Sequence, residues 1–335
     1  MTLPSPYLLF LGDVSEANRA KTGYGIVHWA PERCVAQIRL PGCAADTGLP
    51  DMTTRDAVAA GAKALVIGVA PQGGAIPDRW HSTLLEALDA GLDLVSGMHT
   101  RLTEIEVIAA KARACGRRLY DVRHTERQIP SANGLKRSGK RCLLVGLDCS
   151  LGKKWGALAL TQEMQARGEK ATFRATGQTG IIIAGEGIAV DAVVADFVAG
   201  AAELLSPDNE ADHWDIIEGQ GSIFHAAYAG VSLGLLHGSQ PDAMILCAHA
   251  ERKHLELLPH IPHRPLRQAI ELHEQLAQVT NPNAVVVGIS VNTSDLATEQ
   301  AARAHLEAIS ATTGLPATDP IRFGCGVFAD ALQSI

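Results

Sequence analysis

The chain has 335 residues, of which 47% are hydrophobic and 4% aromatic, and it carries a formal net charge of −7. That length and apolar content suit two cores better than one. The negative charge excludes a protein held to nucleic acid by phosphate contacts. No apolar run reaches 18 residues and Met1–Pro6 has no basic start, so neither a membrane span nor a secretion signal is expected. The seven cysteines (34, 43, 115, 142, 149, 247 and 325) form no C-x-x-C pair and several sit in apolar runs, the usage of a reduced, cytoplasmic protein. With Ala, Gly, Val, Leu and Ile dominating, the expected class is α/β, with parallel strands covered by helices.

In chain order, strands are predicted at 7–11, 33–40, 64–69, 93–96 and 118–122, and helices at 82–90 and 102–115, the latter stopped by Gly116. The turn Ala70-Pro71-Gln72-Gly73-Gly74 follows the third strand. This alternation predicts a Rossmann-like N-terminal domain over 1–125, although no G-x-G-x-x-G dinucleotide fingerprint is present. Residues 126–140 are polar and basic, with Pro130, Asn133, Gly134 and Ser138-Gly139, and read as a linker. A second domain is expected over 141–335, with strands at 142–145, 171–175, 215–217, 243–247 and 284–291. Its helices are predicted at 155–167, 189–205, 265–278 and 297–313.

The second domain opens on the most informative feature. The apolar run Cys142–Val145 leads into Gly146-Leu147-Asp148-Cys149-Ser150-Leu151-Gly152-Lys153-Lys154, and an Ala/Leu-rich helical stretch follows. Strand, glycine loop ending in Gly-Lys, then helix is the context of a phosphate loop, in which backbone N–H groups and a helix N-terminus face an anion. Five residues separate the glycines, one more than in the common pattern. Nucleotide hydrolases carry Ser or Thr after the lysine to hold Mg²⁺. Here Lys154 takes that place, and an ammonium cannot ligate a metal. Phosphate is gripped without the usual magnesium chemistry, and no metal is expected.

Two further strand ends carry polar side chains where α/β sheets bind ligands. One is Thr176-Gly177-Gln178-Thr179-Gly180, preceded by Arg174. The other is Glu218-Gly219-Gln220-Gly221-Ser222. Glu218 is the first candidate for a general base and Asp148 the second, with backbone N–H groups or Lys153 as Asp148's alternative partners. Arg101, Arg174 and Arg252 are candidates for gripping a substrate carboxylate, because a guanidinium forks onto it. Arg101 is expected to act across an interdomain cleft. Asp191 and Asp196 lie within an apolar stretch and need partners there. His249, His254, His260 and His263 cluster near Glu251 and Arg252, but their spacing matches no zinc pattern, and 258–265 reads as a loop.

The residues alone point to a phosphate-gripping site, which an ATP-dependent synthetase or kinase or a non-catalytic nucleotide sensor could each use. Polar side chains at three separate strand ends weigh against the sensor.

The ordered segments 146–154, 176–181, 189–197 with Gly200–Glu203, 218–222 and Leu236–Pro241 make nearly the whole chain similar to the bacterial DgcN family, formerly an uncharacterised-domain family. The resemblance implies a Rossmann-like domain followed by a P-loop NTPase-like parallel-sheet domain. It also implies acetyl transfer from acetyl-CoA to the amine of D-glutamate, feeding an N-acyl-glutamate racemase. The second domain also resembles dethiobiotin synthetase, which has the same five-residue spacing and a Glu-Gly turn, but Lys154 departs from that enzyme's magnesium-holding hydroxyl. The resulting expectation is a cytoplasmic homo-oligomer with acetyl-CoA as co-substrate and small-molecule substrates. Gly146, Cys149, Ser150, Leu151, Gly152, Lys153 and Lys154 are expected to hold the donor. Arg101, Arg174, Thr176, Gln178, Thr179, Gln220 and Arg252 are expected to bind the acceptor, and Glu218 or Asp148 to take its proton.

Overall fold

In the computed structural model, which describes residues 2–69, 74–125 and 127–335, the chain divides into two units. The first comprises residues up to 126 together with Gly177–Ala189, and the second the remainder. Residues 70–73 of the predicted turn 70–74 lie outside the described residues.

In the first unit, strands β1 (Tyr7–Gly12), β2 (Cys34–Arg39), β3 (Ala64–Ile67), β4 (Asp93–Ser96) and β5 (Leu119–Asp121) form a parallel sheet in the order β2-β1-β3-β4-β5. Every residue of β1 and β3 is buried, as expected of strands covered on both faces. Helices α1 (Lys21–Trp29), α2 (Thr54–Ala59), α3 (His81–Asp89) and α4 (Glu106–Cys115) connect them. Thr53 caps α2 by accepting from the Asp56 amide, and Gly116, with φ 62°, ends α4.

In the second unit, β6 (Lys140–Gly146) enters α5 (Lys153–Ala166), then β7 (Ala171–Arg174). The chain then gives α6 (Gln178–Ala184) to the first unit, where Ile182 O accepts from the Tyr7 hydroxyl at 3.2 Å. It returns through α7 (Val198–Leu205), β8 (Trp214–Ile217), α8 (Ala229–Ser239) and β9 (Ala243–His249). A hairpin, β10 (His254–Leu255) with β11 (Leu258–Pro262), precedes α9 (Leu266–Ala277), β12 (Val285–Asn292), α10 (Glu299–Thr313), β13 (Ala317–Thr318) and α11 (Gly326–Leu332). The parallel sheet runs β13-β12-β9-β6-β8-β7. Strands on either side of β6 are reached in opposite directions, and the crevice at the carboxyl end of such a switch is where open α/β sheets take ligands. The phosphate loop leaves β6 there.

The stretch predicted as a linker, 126–140, holds no helix or strand over 127–139, gives its last residue to β6, and is fastened to the second unit. Glu203 accepts from the Asn133 and Gly134 amides, and Lys136 donates to Asp242 at 2.6 Å. The helix predicted over 189–205 is shorter: 3₁₀ turns at Val190–Ala192 and Ala195–Phe197 precede α7. Its start is delayed past the β-branched residues Val190, Val193 and Val194, which disfavour helix. Asp191 and Asp196 are exposed. Residues 258–262, read as loop, form one arm of the hairpin, where prolines are tolerated because the strand is an edge.

Candidate phosphate-binding and catalytic site

Gly152 (φ 97°) turns the chain from loop to α5 in a conformation that favours glycine, and Ser150 (φ 53) shares the left-handed region. Lys153, the first residue of α5, is buried and folds back so that Nζ donates to the Asp148 carbonyl at 2.7 Å. Burial pushes its ammonium below the ordinary lysine value, against the attraction of neighbours that include Asp148 and Glu218. A buried cation at a helix start is a receptor for an anion. Lys154 and Cys149 are half-buried and Ser150 is exposed. Burial raises the Cys149 thiol to about 11.

Asp148 is fully buried and acts as a pin. Its Oδ1 accepts from the Cys149 amide at 2.7 Å. Its Oδ2 accepts from the Glu256 amide at 2.7 Å and Arg252 Nη1 at 3.2 Å, and lies 3.3 Å from His263 Nε2. Burial alone would raise its carboxyl, but these hydrogen bonds outweigh it and hold Asp148 below the ordinary carboxylate value. Arg252 also donates to the Cys149 carbonyl at 2.8 Å. The β10–β11 hairpin is thereby clipped to the phosphate loop by one carboxylate. Its lone pairs are taken up in this role, the bland alternative foreseen for it.

Glu218 directly follows β8 and is buried. Its Oε2 accepts from the Thr176 amide at 3.1 Å, the Thr176 hydroxyl donates to the Glu218 carbonyl at 2.6 Å, and Gln220 Nε2 donates to that hydroxyl at 3.1 Å. Gly219 is obligatory, since a Cβ there would stand 1.6 Å from the Leu144 carbonyl oxygen. The close approach also packs the Lys153 stem against Gly219, which brings loop cation and strand-end carboxylate together. Asp148, Lys153, Thr176, Glu218, Gln220 and Arg252 therefore converge in the second unit.

Arg174, by contrast, donates from Nε to buried Asp215 at 2.8 Å, and Asp215 also accepts from Ser206 at 2.6 Å. This network ties β7 to β8. Gln178 and Thr179 begin α6, in the first unit, where Thr179 Oγ1 lies 3.1 Å from Thr22 Oγ1. Arg101 is exposed in the same unit, with Nη2 3.3 Å from His124 Nδ1.

The P-loop fold implies a magnesium ion, and the donor set does not fit one: Lys154 occupies the hydroxyl position, and Asp148 is saturated. Asp148, Cys149 and His225 do lie within 4.8 Å of one another. However, His225 Nδ1 accepts from the Ala227 amide at 3.2 Å and its Nε2 lies 2.9 Å from the Glu256 carbonyl oxygen, so both ring nitrogens are engaged.

A cavity of about 540 Å³ opens beside the loop, walled by Gly152, Trp155, Leu296, Pro320 and Arg322, with Asn292 at the end of β12. Apart from Gly152, sequence reading passed over these residues. The signal available was the polar run Asn292-Thr293-Ser294-Asp295 after an apolar strand.

Among the described residues, no helix is long and apolar enough to cross a membrane. Residues 128–329 match a family described as a domain of unknown function (DUF1611_C), P-loop domain, and residues 38–125 its Rossmann-like partner, DUF1611_N. A D-glutamate N-acetyltransferase of Tritonibacter scottomollicae is 52% identical over 99% of this chain and 100% of its own length. Another, from a Pseudoalteromonas species, is 44% identical over 97% of each. The crystal structure of a DUF1611 family protein from Anabaena variabilis superposes with a TM-score of 0.86 at 34% identity, covering 99% of this chain and all of that one. With both domain descriptions matched in order and relatives aligned almost end to end, the chain belongs to the DUF1611 family, a Rossmann-like domain joined to a P-loop domain.

Proposed function

We propose that the chain is a D-glutamate N-acetyltransferase that uses acetyl-CoA as donor. The observation that carries the reading is near-full-length identity to two proteins of that name. The site's chemistry supports it. CoA carries a diphosphate and a ribose 3′-phosphate, which need anion contacts but no hydrolysis, and a loop with lysine at 153 and 154 supplies cationic charge where ATPases place a metal ligand.

The acceptor amine attacks the thioester carbonyl carbon, a C–N bond forms, and the C–S bond breaks. CoA leaves as a thiolate that takes up a proton. The amine must shed its protons, because an α-ammonium predominates near neutral pH. Glu218 is the group assigned to that transfer: it is buried at a strand end, next to a glycine and beside Lys153. Asp148, saturated by its donors, is assigned to position the loop and hairpin. Arg252, with Thr176 and Gln220, is the acceptor-binding candidate of the second unit, and Arg101, Gln178 and Thr179 are those of the first.

The cysteines, all unpaired, suit a cytoplasmic setting. A homo-oligomer, and a racemase consuming the N-acetyl-D-glutamate, complete the proposal.

A thiol-release assay with acetyl-CoA against D- and L-glutamate and D- and L-aspartate tests it. The expected result is thiol release with D-glutamate and a product 42 Da heavier by mass spectrometry, an increment fixed by the acetyl group. Magnesium-dependent turnover of ATP to ADP without thiol release would overturn it.

A further inference from the structure

The cavity beside the phosphate loop is not used by the acetyl-transfer chemistry above, yet one of its walls is the loop itself. Gly152 belongs to the loop and Trp155 to the first turn of α5, so a ligand whose diphosphate sits on the loop places its neighbouring group here. About 540 Å³ lies within the range of pockets that enclose a small organic ligand. The walls are the indole of Trp155 and the aliphatic Leu296 and Pro320, with Asn292 as a hydrogen-bonding group: the surface an aromatic heterocycle requires.

Sheet order separates this pocket from the chemistry. Asn292 ends β12, two strands to one side of β6, whereas Glu218 follows β8, the neighbour on the other side. A molecule with a diphosphate at its middle can therefore send one arm into the pocket and the other to Glu218.

Arg322 stands at the mouth of the pocket and is exposed. It is held from behind: Nη1 donates to the Thr293 carbonyl at 3.3 Å and the Leu296 carbonyl at 3.1 Å, and Cζ lies 5.7 Å from the Phe323 ring centroid. Arg303 lies over the same ring at 4.2 Å, so one phenyl carries two guanidinium groups. The nearby carboxylate, Asp319, is buried and accepts from the Thr293 amide (2.9 Å) and hydroxyl (2.7 Å) and from the Ile321 (3.0 Å) and Arg322 (3.2 Å) amides. Its charge is spent on shaping the turn that presents the arginine.

We propose that this cavity is the adenosine pocket of the donor and that Arg322 reads the ribose 3′-phosphate, the group that distinguishes CoA from other adenosine nucleotides. The proposal rests on acetyl-CoA being the donor.

Calorimetric titration with CoA and with 3′-dephospho-CoA, on the wild type and two variants, tests it. The wild type is expected to prefer CoA by at least about tenfold, the scale of one charge-assisted hydrogen bond. Arg322→Gln should bring that ratio to about one by weakening CoA alone, with Arg322→Lys retaining part of it. Ala297→Phe fills the pocket from an exposed position next to the α10 cap. It should weaken both ligands in parallel. An unchanged ratio in Arg322→Gln, with affinities kept or falling together, or unchanged affinities in Ala297→Phe, overturns the pocket assignment. Continued acetyl-CoA turnover in those variants leaves the donor reading intact. Absence of thiol release from acetyl-CoA by the wild type would remove both.

Discussion

Asp148→Asn separates a positioning carboxylate from a catalytic one. The native Oδ2 faces three donors: the Glu256 amide, Arg252 Nη1 and His263 Nε2. Oδ1 faces the Cys149 amide. An asparagine must put its NH₂ on one of these sides. The less damaging choice sets it against the Cys149 amide, which loses its acceptor while a neutral oxygen remains for Arg252. A buried donor left without an acceptor costs about 1–3 kcal/mol, and the weakened contact to a charged group adds to it. A total of about 2–3 kcal/mol lowers the melting temperature by roughly 4–12 °C in a unit of this size.

The damage should be local. In hydrogen exchange, amides of 252–263, Glu256 above all, should lose protection while β6 and β9 keep theirs. The pH dependence has a definite sign. Asp148 titrates below its ordinary value of 3.8, so its contribution is present above about pH 4 and is lost as pH falls through the folded-state value. Wild type and variant should converge in stability in that acid range. A variant with native melting and hairpin protection but kcat reduced a hundredfold would refute the reasoning and make Asp148 the base.

Three further outcomes are expected. Lys153→Met exchanges a buried ammonium for an apolar chain of similar length, so the ligand-free protein should melt no lower, while donor affinity in calorimetry falls by about a hundredfold, the scale of a lost charge-assisted phosphate contact. Glu218→Gln should lower kcat by about 10²–10⁴ with donor affinity retained, measured by steady-state kinetics and titration. Burial holds His273 down at about 4, against an ordinary 6.5, with Nδ1 donating to the Ala269 carbonyl at 2.7 Å. The unfolded chain therefore takes up this proton first as pH falls. Urea titrations should show about 3 kcal/mol of stability lost between pH 6.5 and pH 4, full stability above that window, and no such slope from this site in His273→Gln.

Strands buried on both faces were legible because they read as apolar runs: β3, β6 and β9 lie within or around the runs 64–69, 142–145 and 243–247. The helices that escaped notice break the patterns that announce helices. α1 carries Gly23 and Gly25, and α8 is apolar nearly all round, with Gly230, Gly234 and Gly238. α6 lies behind what reads as a polar glycine turn, and its belonging to the first unit is a tertiary fact that no local pattern carries. The same limit applies to the site. Gly-Lys after a strand announces a phosphate loop, and Glu-Gly after a strand announces a second lining element. That Arg174 is taken by Asp215, or that Asp148 pins residues more than a hundred positions away, depends on pairings between distant segments.

In the proposed reaction, the arrangement of charge around the loop links binding to chemistry. Lys153 is the cation assigned to the phosphate, and it also faces Glu218, whose attraction acts on its ammonium. Before the donor arrives, that ammonium donates to the Asp148 carbonyl at 2.7 Å. Asp148's own charge is already occupied by Arg252 and backbone amides and does not compete. In the proposed reaction, a diphosphate beside Lys153 takes up its charge before Glu218 accepts the amine's proton. Acetyl transfer should then follow an ordered sequence, donor before acceptor, with CoA competing against acetyl-CoA and not against D-glutamate in product-inhibition kinetics. In Glu218→Gln the ammonium loses its rival anion, so donor affinity should hold or rise. Random addition together with weakened donor binding in that variant would place Glu218 among the phosphate ligands and take the base away from it.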